Sequence, residues 1–448
     1  VESLAGTGSR ANRKRHATTG PVGRPAPERG ASGRPRVVIP ATFPIHNPVG
    51  GGQLRARHLY GGMARHLDVE VVALVDWNTP PTSVEIAPGL VETLVPRTAA
   101  ARDACLQTSL EVGVPVADIV SGHEPELTPG YISTLAAALD GADAVVLAEP
   151  YLVRAVEQAV TEAGIPAPPV VLDAYNVEAA LKERILPETE LGQRLMRWTV
   201  AIEAEAVSRA AKVVACGEID AADLAARYER SPSDVTVITN GAEVPAEPAS
   251  QSERNHRAHE WLRRYHRTGP LGDGHTHLGL FVGSWHPPNV DAVWMLTELA
   301  DALPHLLIVS AGSIGDAFYD RVVPPNMVFT GVITDASRRL LLRSAHVALN
   351  PMRLGSGTNL KLVEYLSNQI PTVSTPFGAR GLDVVDGTHL RLAEPEGFAA
   401  AIDHVLTDAD AAARMARAGR DLVATDLAWP VLADQLTDLV TSTAGIVL

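Results

Sequence analysis

Short apolar segments alternate with longer amphipathic segments from about residue 36 onward. The short segments are continuous runs rich in β-branched residues, which predict parallel strands buried on both faces, and the longer segments predict helices. The predicted strands of the first half are 37–39, 69–75, 144–148, 170–172, 212–215 and 235–239, with helices near 53–67, 131–140, 152–163, 190–210 and 218–229. Those of the second half are 278–282, 306–309, 328–329, 346–349 and 371–374. This alternation predicts an α/β protein built from βαβ units.

A polar segment separates the two alternating regions, which predicts two doubly wound domains joined by a linker. We place the first domain at 36–244, the linker or insertion at 245–277 and the second domain at 278–426. The linker contains five histidines, at positions 256, 259, 266, 275 and 277. Their spacing lacks a tight pair on one helical face with a third acidic ligand, so a solvated linker is favoured over a metal site. A last helix is predicted within 427–448.

Charge is distributed unevenly along the chain. Residues 1–36 carry eight Lys or Arg and two Glu, a balance of +6, so the total of −14 leaves −20 for the remainder. The acidic body argues against broad electrostatic binding to nucleic acid, which needs cations clustered along a phosphate track. Segment 1–35 is rich in Gly, Pro, Arg, Ser and Thr and predicts a disordered tail. Its charge allows peripheral contact with an anionic membrane, although most such tails are merely solvated.

The cysteine content and the absence of long apolar runs predict a cytoplasmic protein. Cys105 and Cys216 form no CxxC or metal-like spacing, and two cysteines cannot build a disulfide framework. No apolar stretch follows the N-terminal charges as in a secretory signal, and no run of 18 apolar residues predicts a membrane span. Only four lysines occur among the 38 basic residues, so each lysine is a candidate for a specific role.

Three glycines, Gly50–Gly52, follow the first strand and precede a predicted helix that carries Arg55. Glycines at this point would let the backbone approach a ligand, and a helix N-terminus favours an anion. The spacing does not match the dinucleotide pattern GxGxxG. A ligand-contacting turn and a flexible surface turn are equally consistent with these residues.

The second domain contains more specific signals. Its first strand ends at Gly283 and Ser284, and in open α/β sheets ligands bind beyond the carboxyl ends of strands. A later strand runs through Arg353 into a loop of Gly355, Ser356 and Gly357. A helix follows this loop, which is an arrangement typical of anion binding.

The start of that helix combines three kinds of ligand-binding group. The N–H groups of Thr358, Asn359 and Leu360 would point at an anion, and Lys361 adds a point charge suited to phosphate. Glu364, three residues on, lies on the same helical face and could accept hydrogen bonds from a diol. Together these groups describe a nucleotide-sugar site. The alternative is a surface Lys361–Glu364 pair worth about 0.2–0.5 kcal/mol, which leaves the glycine loop unexplained.

The motifs GTNLKLVEYL and PTVSTPFGARGL, between Gly355 and Leu382, resemble family 4 of the glycosyltransferase classification, the retaining GT-B enzymes. Looser matches occur at 173–178, 238–241 and 282–289. The resemblance extends over nearly all of the chain from about residue 36. It implies two Rossmann-like domains facing across a cleft, with the nucleotide held mainly by the second domain.

The resemblance also implies roles for individual residues. Glu364 would bind the ribose hydroxyls, and Lys361 with the 356–360 amides and Arg353 would hold the diphosphate. Backbone near Val332 would meet the base. Gly51 and Gly52 would close over the donor from the first domain, and the final helix would cross back to that domain. No metal or other cofactor is expected, since protein cations and helix dipoles would stabilise the leaving diphosphate.

The sequence departs from the family pattern at several positions. Ser356 stands where many relatives have a sugar-binding Glu, although a related subgroup carries the same GSGT-x-x-K form. Ala148 and Tyr175 stand where cleft histidines are common. Ser284 and Asn289 stand near the place of a usual cationic pair, so the diphosphate depends more heavily on Lys361. We assign four residues to the acceptor side of the cleft: Arg55, Glu149, Tyr175 and Asn176.

The sequence therefore predicts transfer of a sugar from a nucleotide-diphosphate sugar to an acceptor hydroxyl, with retention of configuration and without a metal. The acceptor, a small molecule, a glycan or a lipid-linked intermediate, would meet variable loops at 78–130. A catalytically silent nucleotide-sugar-binding partner is the main alternative, suggested by Ala148, Tyr175 and Ser356. A GT-B nucleotide-sugar epimerase is a weaker one.

Overall fold

The computed structural model describes residues 24–25, 32–268, 276–355 and 358–448. Most of the predicted tail at 1–35 lies outside these residues, as do Ser356 and Gly357 of the glycine loop. Within the described ranges, no helix has the length and apolar character needed to cross a membrane.

The first domain is a sheet covered by helices. Its strands are β1 (Arg24–Pro25), β2 (Arg36–Ala41), β3 (Asp68–Val75), β4 (Thr82–Ala87), β5 (Leu90–Pro96), β6 (Ala144–Ala148), β7 (Val170–Ala174), β8 (Lys212–Ala215) and β9 (Val235–Val237). Its helices are α1 (Gly51–Met63), α2 (Ala99–Val112), α3 (Ala117–His123), α4 (Pro129–Leu139), α5 (Val153–Ala163), α6 (Glu178–Ile185), α7 (Glu190–Arg209) and α8 (Glu218–Arg227).

The strand order of this sheet is β1-β4-β5-β3-β2-β6-β7-β8-β9. The strands from β5 to β9 in that order are parallel, and β4 is antiparallel to β5. Neighbouring residues of β2 enter different cores, with Val37 and Ile39 on one face of the sheet and Val38 on the other. The apolar runs of the sequence are thus explained by burial on both faces.

The region 78–130, predicted as variable loops, contains two strands and two helices. β4 and β5 form a hairpin that turns at Gly89, whose φ of 74° favours glycine. Strand β4 could not be predicted from the sequence, because polar residues alternate along it and its side chains are only partly buried.

The segment 245–277 is also not the solvated linker that its composition suggested. Helix α9 (Gln251–Thr268) occupies most of it and buries Arg254, Ala258 and Leu262 against the second domain. The Arg254 guanidinium donates to the carbonyl oxygens of Leu342, Ala345, Asn368 and Gln369, at 2.7–3.2 Å. This one side chain caps the C-terminal ends of two helices, which explains how a polar segment folds here. Of the linker histidines, the side chain of His266 and the whole of His275 lie outside the described part.

The second domain is a six-stranded parallel sheet with helices on both faces. Its strands are β10 (His277–Val282), β11 (Leu306–Ala311), β12 (Met327–Phe329), β13 (Val347–Asn350), β14 (Thr372–Ser374) and β15 (Arg391–Leu392), in the order β12-β11-β10-β13-β14-β15. Its helices are α10 (Pro287–Leu299), α11 (Asp335–Ser344), α12 (Leu360–Ser367), α13 (Phe398–Thr407) and α14 (Ala409–Leu422).

The final helix, α15 (Trp429–Ala444), packs on the first domain. Trp429, Leu432 and Leu436 are buried in the same core as Val37. A Cβ atom at Gly62 of α1 would lie 2.2 Å from the Cβ atom of Ala433, so the two helices meet at a glycine. The chain therefore leaves the second domain and returns to the first.

Candidate functional site

Each sheet has one switch point, where successive connections leave in opposite directions. In the second domain it lies between β10 and β13, and in the first between β2 and β6. Ligands of doubly wound sheets bind at the carboxyl ends of such strand pairs. The loops after β10 and β13 contain most of the predicted donor residues, Gly51 begins α1 at the end of the loop after β2, and Glu149 follows β6 directly.

The N-termini of α12 and α1 meet at this site. A Cβ atom at Gly51 would lie 2.8 Å from Cδ1 of Leu360, and one at Gly52 would lie 3.1 Å from Cδ2 of Tyr175. Gly51 and Gly52 belong to the first turn of α1, which begins two residues earlier than predicted. Gly51 therefore serves the close approach of the two domains, while Gly52 packs against Tyr175 of its own domain; the two glycines lie in a helical turn and not in a flexible surface turn.

Backbone N–H groups are exposed at the start of α12. The first hydrogen bond of this helix runs from Leu362 N to Asn359 O, at 3.0 Å. The N–H groups of Leu360 and Lys361 therefore precede the helical hydrogen bonds and can donate to a ligand. Asn359 donates through Nδ2 to Asn350 Oδ1 at 3.0 Å, which fixes the start of the helix to the end of β13. With the helix dipole, this end favours an anion.

The first domain contacts Thr358, the residue that follows the glycine loop. Asn240 donates from its main-chain N to Thr358 Oγ1 at 3.1 Å and from Nδ2 to Thr358 O at 3.4 Å. A Cβ atom at Gly381 would lie 2.7 Å from Cγ2 of Thr358. Thr358 is thus packed between the two domains.

Among the described residues, the groups that contact the Lys361 ammonium are uncharged. Its Nζ donates to Asn289 Oδ1 at 2.5 Å, lies 3.5 Å from Met352 Sδ and sits 4.8 Å from the ring centroid of Phe281. Burial, and to a smaller extent the positive charge of Arg380, together lower the pKa of Lys361 to about 7. An ammonium group in this position gains most from an added anion.

Asn289, which the sequence only marked as replacing a cation, links both donor loops. Its Oδ1 accepts from Lys361, while its Nδ2 donates to Ser284 O at 2.9 Å. A Cβ atom at Gly283 would lie 2.8 Å from Cε1 of Phe281 and 3.2 Å from Cγ of Asn289, so only glycine fits there. Val332, in the loop after β12, is 74% exposed and open to contact.

Glu364 pairs with a residue that the sequence did not identify. Arg338 Nη2 donates to Glu364 Oε2 at 2.7 Å. Burial raises the pKa of Glu364, and Arg338 opposes this rise. The alternative of a Lys361–Glu364 surface pair is wrong, because each side chain has a different partner. No local pattern pointed to Arg338, which lies 26 positions earlier in α11.

Arg353 differs from its predicted role on the diphosphate. Its guanidinium makes two hydrogen bonds to Asp291 of α10, at 3.0 and 2.7 Å. The Asp291 carboxylate thus binds the Arg353 guanidinium through two hydrogen bonds and offsets its positive charge.

Two of the residues assigned to the acceptor side are buried in the first domain. Arg55 is 1% exposed and donates through Nη2 to Asp173 Oδ1 at 2.8 Å and through Nη1 to Thr239 O at 2.9 Å. Tyr60 donates to Asp173 Oδ2 at 3.0 Å, and its hydroxyl is 2.9 Å from that of Tyr175. The assignment of Arg55 to the cleft is therefore wrong, because this network holds it in the core beneath the glycines.

Glu149 sits at the switch point of the first domain. Its φ of 65° and ψ of 161° are rare for a residue with a side chain, and Thr42 Oγ1 donates to its Oε2 at 3.0 Å. Burial raises the pKa of Glu149 well above its usual range, and Glu178 and Asp118 add to the rise. Asn176 donates to Glu178 Oε1 at 3.2 Å, so it contacts one of the carboxylates that raise the pKa of Glu149.

Two doubly wound domains that face each other across their switch points define the GT-B fold of glycosyltransferases, which confirms the predicted fold class. Residues 276–408 match the family described as Glycosyl transferases group 1. A sequence search of curated proteins finds no match.

Several solved structures share the fold. Sucrose-phosphate synthase from Thermosynechococcus elongatus is 15% identical with a TM-score of 0.68, over 91% of this chain and 98% of that chain. HepE from Anabaena, solved in complex with UDP, is 12% identical with a TM-score of 0.64, over 91% and 100%. The α,α-trehalose 6-phosphate synthase from Burkholderia multivorans is 13% identical with a TM-score of 0.57, over 92% and 99%. At these identities the likeness establishes the fold.

Proposed function

We propose that this chain is a retaining glycosyltransferase that moves a hexosyl group from a nucleotide-diphosphate sugar to an acceptor hydroxyl. The observation that carries the proposal is the meeting of two helix N-termini, at Gly51 and Leu360, beside the uncompensated ammonium of Lys361. The family match over 276–408 and the GT-B neighbour solved with UDP support a nucleotide-sugar donor.

The reaction places growing negative charge on the leaving diphosphate. Preorganised donors aimed at developing charge supply the largest single part of many rate enhancements. The amides at the start of α12 and Lys361 would fill this role, so we propose that transfer needs no metal ion and no other cofactor. Glu364 would hold the ribose hydroxyls through the oxygen that Arg338 does not engage.

Retention follows if the acceptor hydroxyl attacks the face from which the diphosphate departs. Such a front-face reaction needs no enzymic nucleophile, so a close pair of catalytic carboxylates is not required. The work of the enzyme is then to hold donor and acceptor together in the cleft.

One observation favours a second function, that of a catalytically silent nucleotide-sugar-binding partner. Tyr175, at a position where relatives have a cleft histidine, is 7% exposed and belongs to the buried network of Asp173. Such a protein would bind the nucleotide but transfer nothing.

A thermal-shift screen against UDP, dTDP, GDP and their sugars tests donor binding. A tight ligand at a hundredfold excess over its Kd stabilises the fold by about 2.7 kcal/mol. Slow hydrolysis of the bound nucleotide sugar, with retained anomeric configuration and unaffected by a chelator, would support the transferase. Binding without any hydrolysis or transfer would favour the silent partner, and no stabilisation by any nucleotide would exclude both. The cytoplasmic location and the contact of the tail with a membrane remain predictions.

A further inference from the structure

A cavity of about 160 Å³ lies between the two domains, next to Gly355. The first domain contributes residues that follow β7 and β8, and the second domain contributes Gly355 and the loop after β14. The volume is below the range of about 300–1,000 Å³ typical of pockets for whole ligands. The cavity therefore suits one terminal group of a substrate rather than a nucleotide.

Two arginines, one from each domain, meet at this cavity. Arg184, near the end of α6, donates through Nη1 to Gly355 O at 3.3 Å. Arg380 donates through Nη1 to Phe377 O at 3.0 Å and lies 4.2 Å from the centroid of the Phe377 ring. Its Nη2 is 3.2 Å from the position of a Cβ atom at Gly355. Both guanidinium groups thus reach the same glycine, and among the described residues each donates one of its five N–H groups to a carbonyl oxygen.

The carboxylates around the cavity do not fully offset this positive charge. Asp220 and Asp223 both line the cavity, and Asp223 pairs with Arg227 at 3.4 Å. Burial lowers the pKa of Arg380, Asp220 raises it, and Arg184 lowers it, with a net fall. The charge of Arg380 also lowers the pKa of Lys361. Two guanidinium groups thus line the cavity, and one of its two lining carboxylates, that of Asp223, is already paired with an arginine outside it.

The cavity wall also has an apolar part. Ile219, which is 65% exposed, and Phe377, which is 38% exposed, both line it. Lys361 and the start of α12 do not line the cavity. An anion here would accordingly be a second anion, next to that of the donor.

We propose that this cavity is an acceptor subsite for an anionic group, in which Arg184 and Arg380 together bind a phosphate or carboxylate of the acceptor sugar. The assignment rests on the proposed transferase function and narrows its substrate class to negatively charged acceptors. Two guanidinium forks provide the planar, bidentate contacts that phosphate and carboxylate prefer.

The test measures binding to the full chain with the donor site filled by a saturating nucleoside diphosphate from the screen above. The probes are inorganic phosphate, glucose 6-phosphate, glucuronate and glucose, followed by calorimetry. We expect at least one anionic probe to bind at least tenfold more tightly than glucose. Phosphate-containing probes and glucuronate are compared to distinguish the two anion types.

Three variants locate the bound anion. We expect Arg184→Met and Arg380→Met each to weaken anion binding at least tenfold, while Arg184→Met changes nucleotide affinity less than threefold. The matched control is Arg209→Met, which removes an arginine of the first domain that donates to Pro168 O and does not line the cavity, and should change anion binding less than twofold.

Anion binding that survives both Arg184→Met and Arg380→Met, or that no probe shows in the wild-type chain, would overturn the proposal while leaving nucleotide binding intact. If no nucleotide binds, the transferase proposal fails instead, and the arginine dependence is still measured with the anions alone.

Discussion

Lys361 is the residue on which the proposed chemistry depends most. Its ammonium contacts an amide oxygen, a thioether sulfur and an aromatic ring, none of which carries a compensating charge. We expect Lys361→Ala to lower turnover about 100-fold or more, by analogy with the loss of one preorganised donor at developing charge. The measurement is kcat with the nucleotide sugar found by screening. Lys212→Ala is the control, because Lys212 pairs with Asp234 away from the site. Turnover within about threefold of wild type would contradict this role.

The lowered pKa of Lys361 predicts a pH dependence of donor binding. The charged form exists below about pH 7 in the free protein, and a bound diphosphate raises the pKa by favouring that form. Affinity should therefore fall as the pH rises from about 7, by up to about tenfold per unit. Burial and the charge of Lys361 lower the pKa of His286, so that histidine is neutral in this range. Calorimetry with the nucleotide sugar checks the slope, and Lys361→Met should abolish it. An equal slope in both proteins would assign the titration elsewhere.

Glu364 should recognise the ribose rather than the phosphates. A hydrogen bond to a charged group is worth about 1.5–3 kcal/mol, so Glu364→Ala should weaken UDP binding at least about tenfold. The comparison of UDP with its 2′-deoxy analogue separates recognition from a structural effect. The wild type should prefer UDP, and the variant should lose that preference. A variant that weakens both nucleotides equally would show that Glu364 serves only to hold Arg338.

The residues that could be predicted lie within one motif. Lys361 and Glu364 are three positions apart in α12, and helical periodicity alone places them on one face. The contacts that Lys361 makes with Asn289 and Glu364 makes with Arg338 could not be predicted, because these partners lie 72 and 26 positions away in the sequence. The burial of Arg55 could not be predicted for a related reason, because its partner Asp173 lies 118 positions away in the sequence.

At the scale of elements, the approach of α1 to α12 depends on Gly51. A side chain there would meet Leu360, whereas a Cβ atom at Gly50 meets only Oε1 of Gln53, at 3.8 Å. We expect Gly51→Val to push the two helix N-termini apart and to weaken donor binding at least about tenfold, by removing favourable dipole interactions and contacts. Gly50→Val is the matched control. Equal donor affinity in the two variants, measured by calorimetry, would show that the contact has no part in binding.

Strands buried on both faces could be predicted, and elements that depend on distant polar contacts or are very short could not. The apolar runs marked β2, β3, β6 and β7 because each is covered by helices on both sides. By contrast, α9 is stabilised by the four carbonyl oxygens that Arg254 caps, a tertiary effect that leaves the local sequence polar. The strand β15 has only two residues, too few to form a pattern.

At the scale of the whole molecule, net charge gave a poor guide to the site. The chain has a formal charge of −14, yet two helix N-termini and Lys361 converge in the cleft, with Arg184 and Arg380 beside them. Local potential depends on which groups the fold brings together. The acidic total therefore argues against nucleic acid as a polymer but not against a small nucleotide.

The return of α15 to the first domain predicts a stability effect at the α1–α15 contact. Because a Cβ atom at Gly62 would lie 2.2 Å from that of Ala433, Gly62→Ala should destabilise the protein by about 1–3 kcal/mol through overpacking. The adjacent Gly61→Ala is a matched control, since its Cβ atom would meet only Cδ2 of Leu90 at 4.0 Å, and better helix propensity should leave it neutral or stabilised by up to about 1 kcal/mol. Denaturant unfolding measures both. The double variant Gly62→Ala, Ala433→Gly should recover much of the loss, since the two sites share one contact. Equal stability of the two single variants would show that α1 and α15 do not pack this closely.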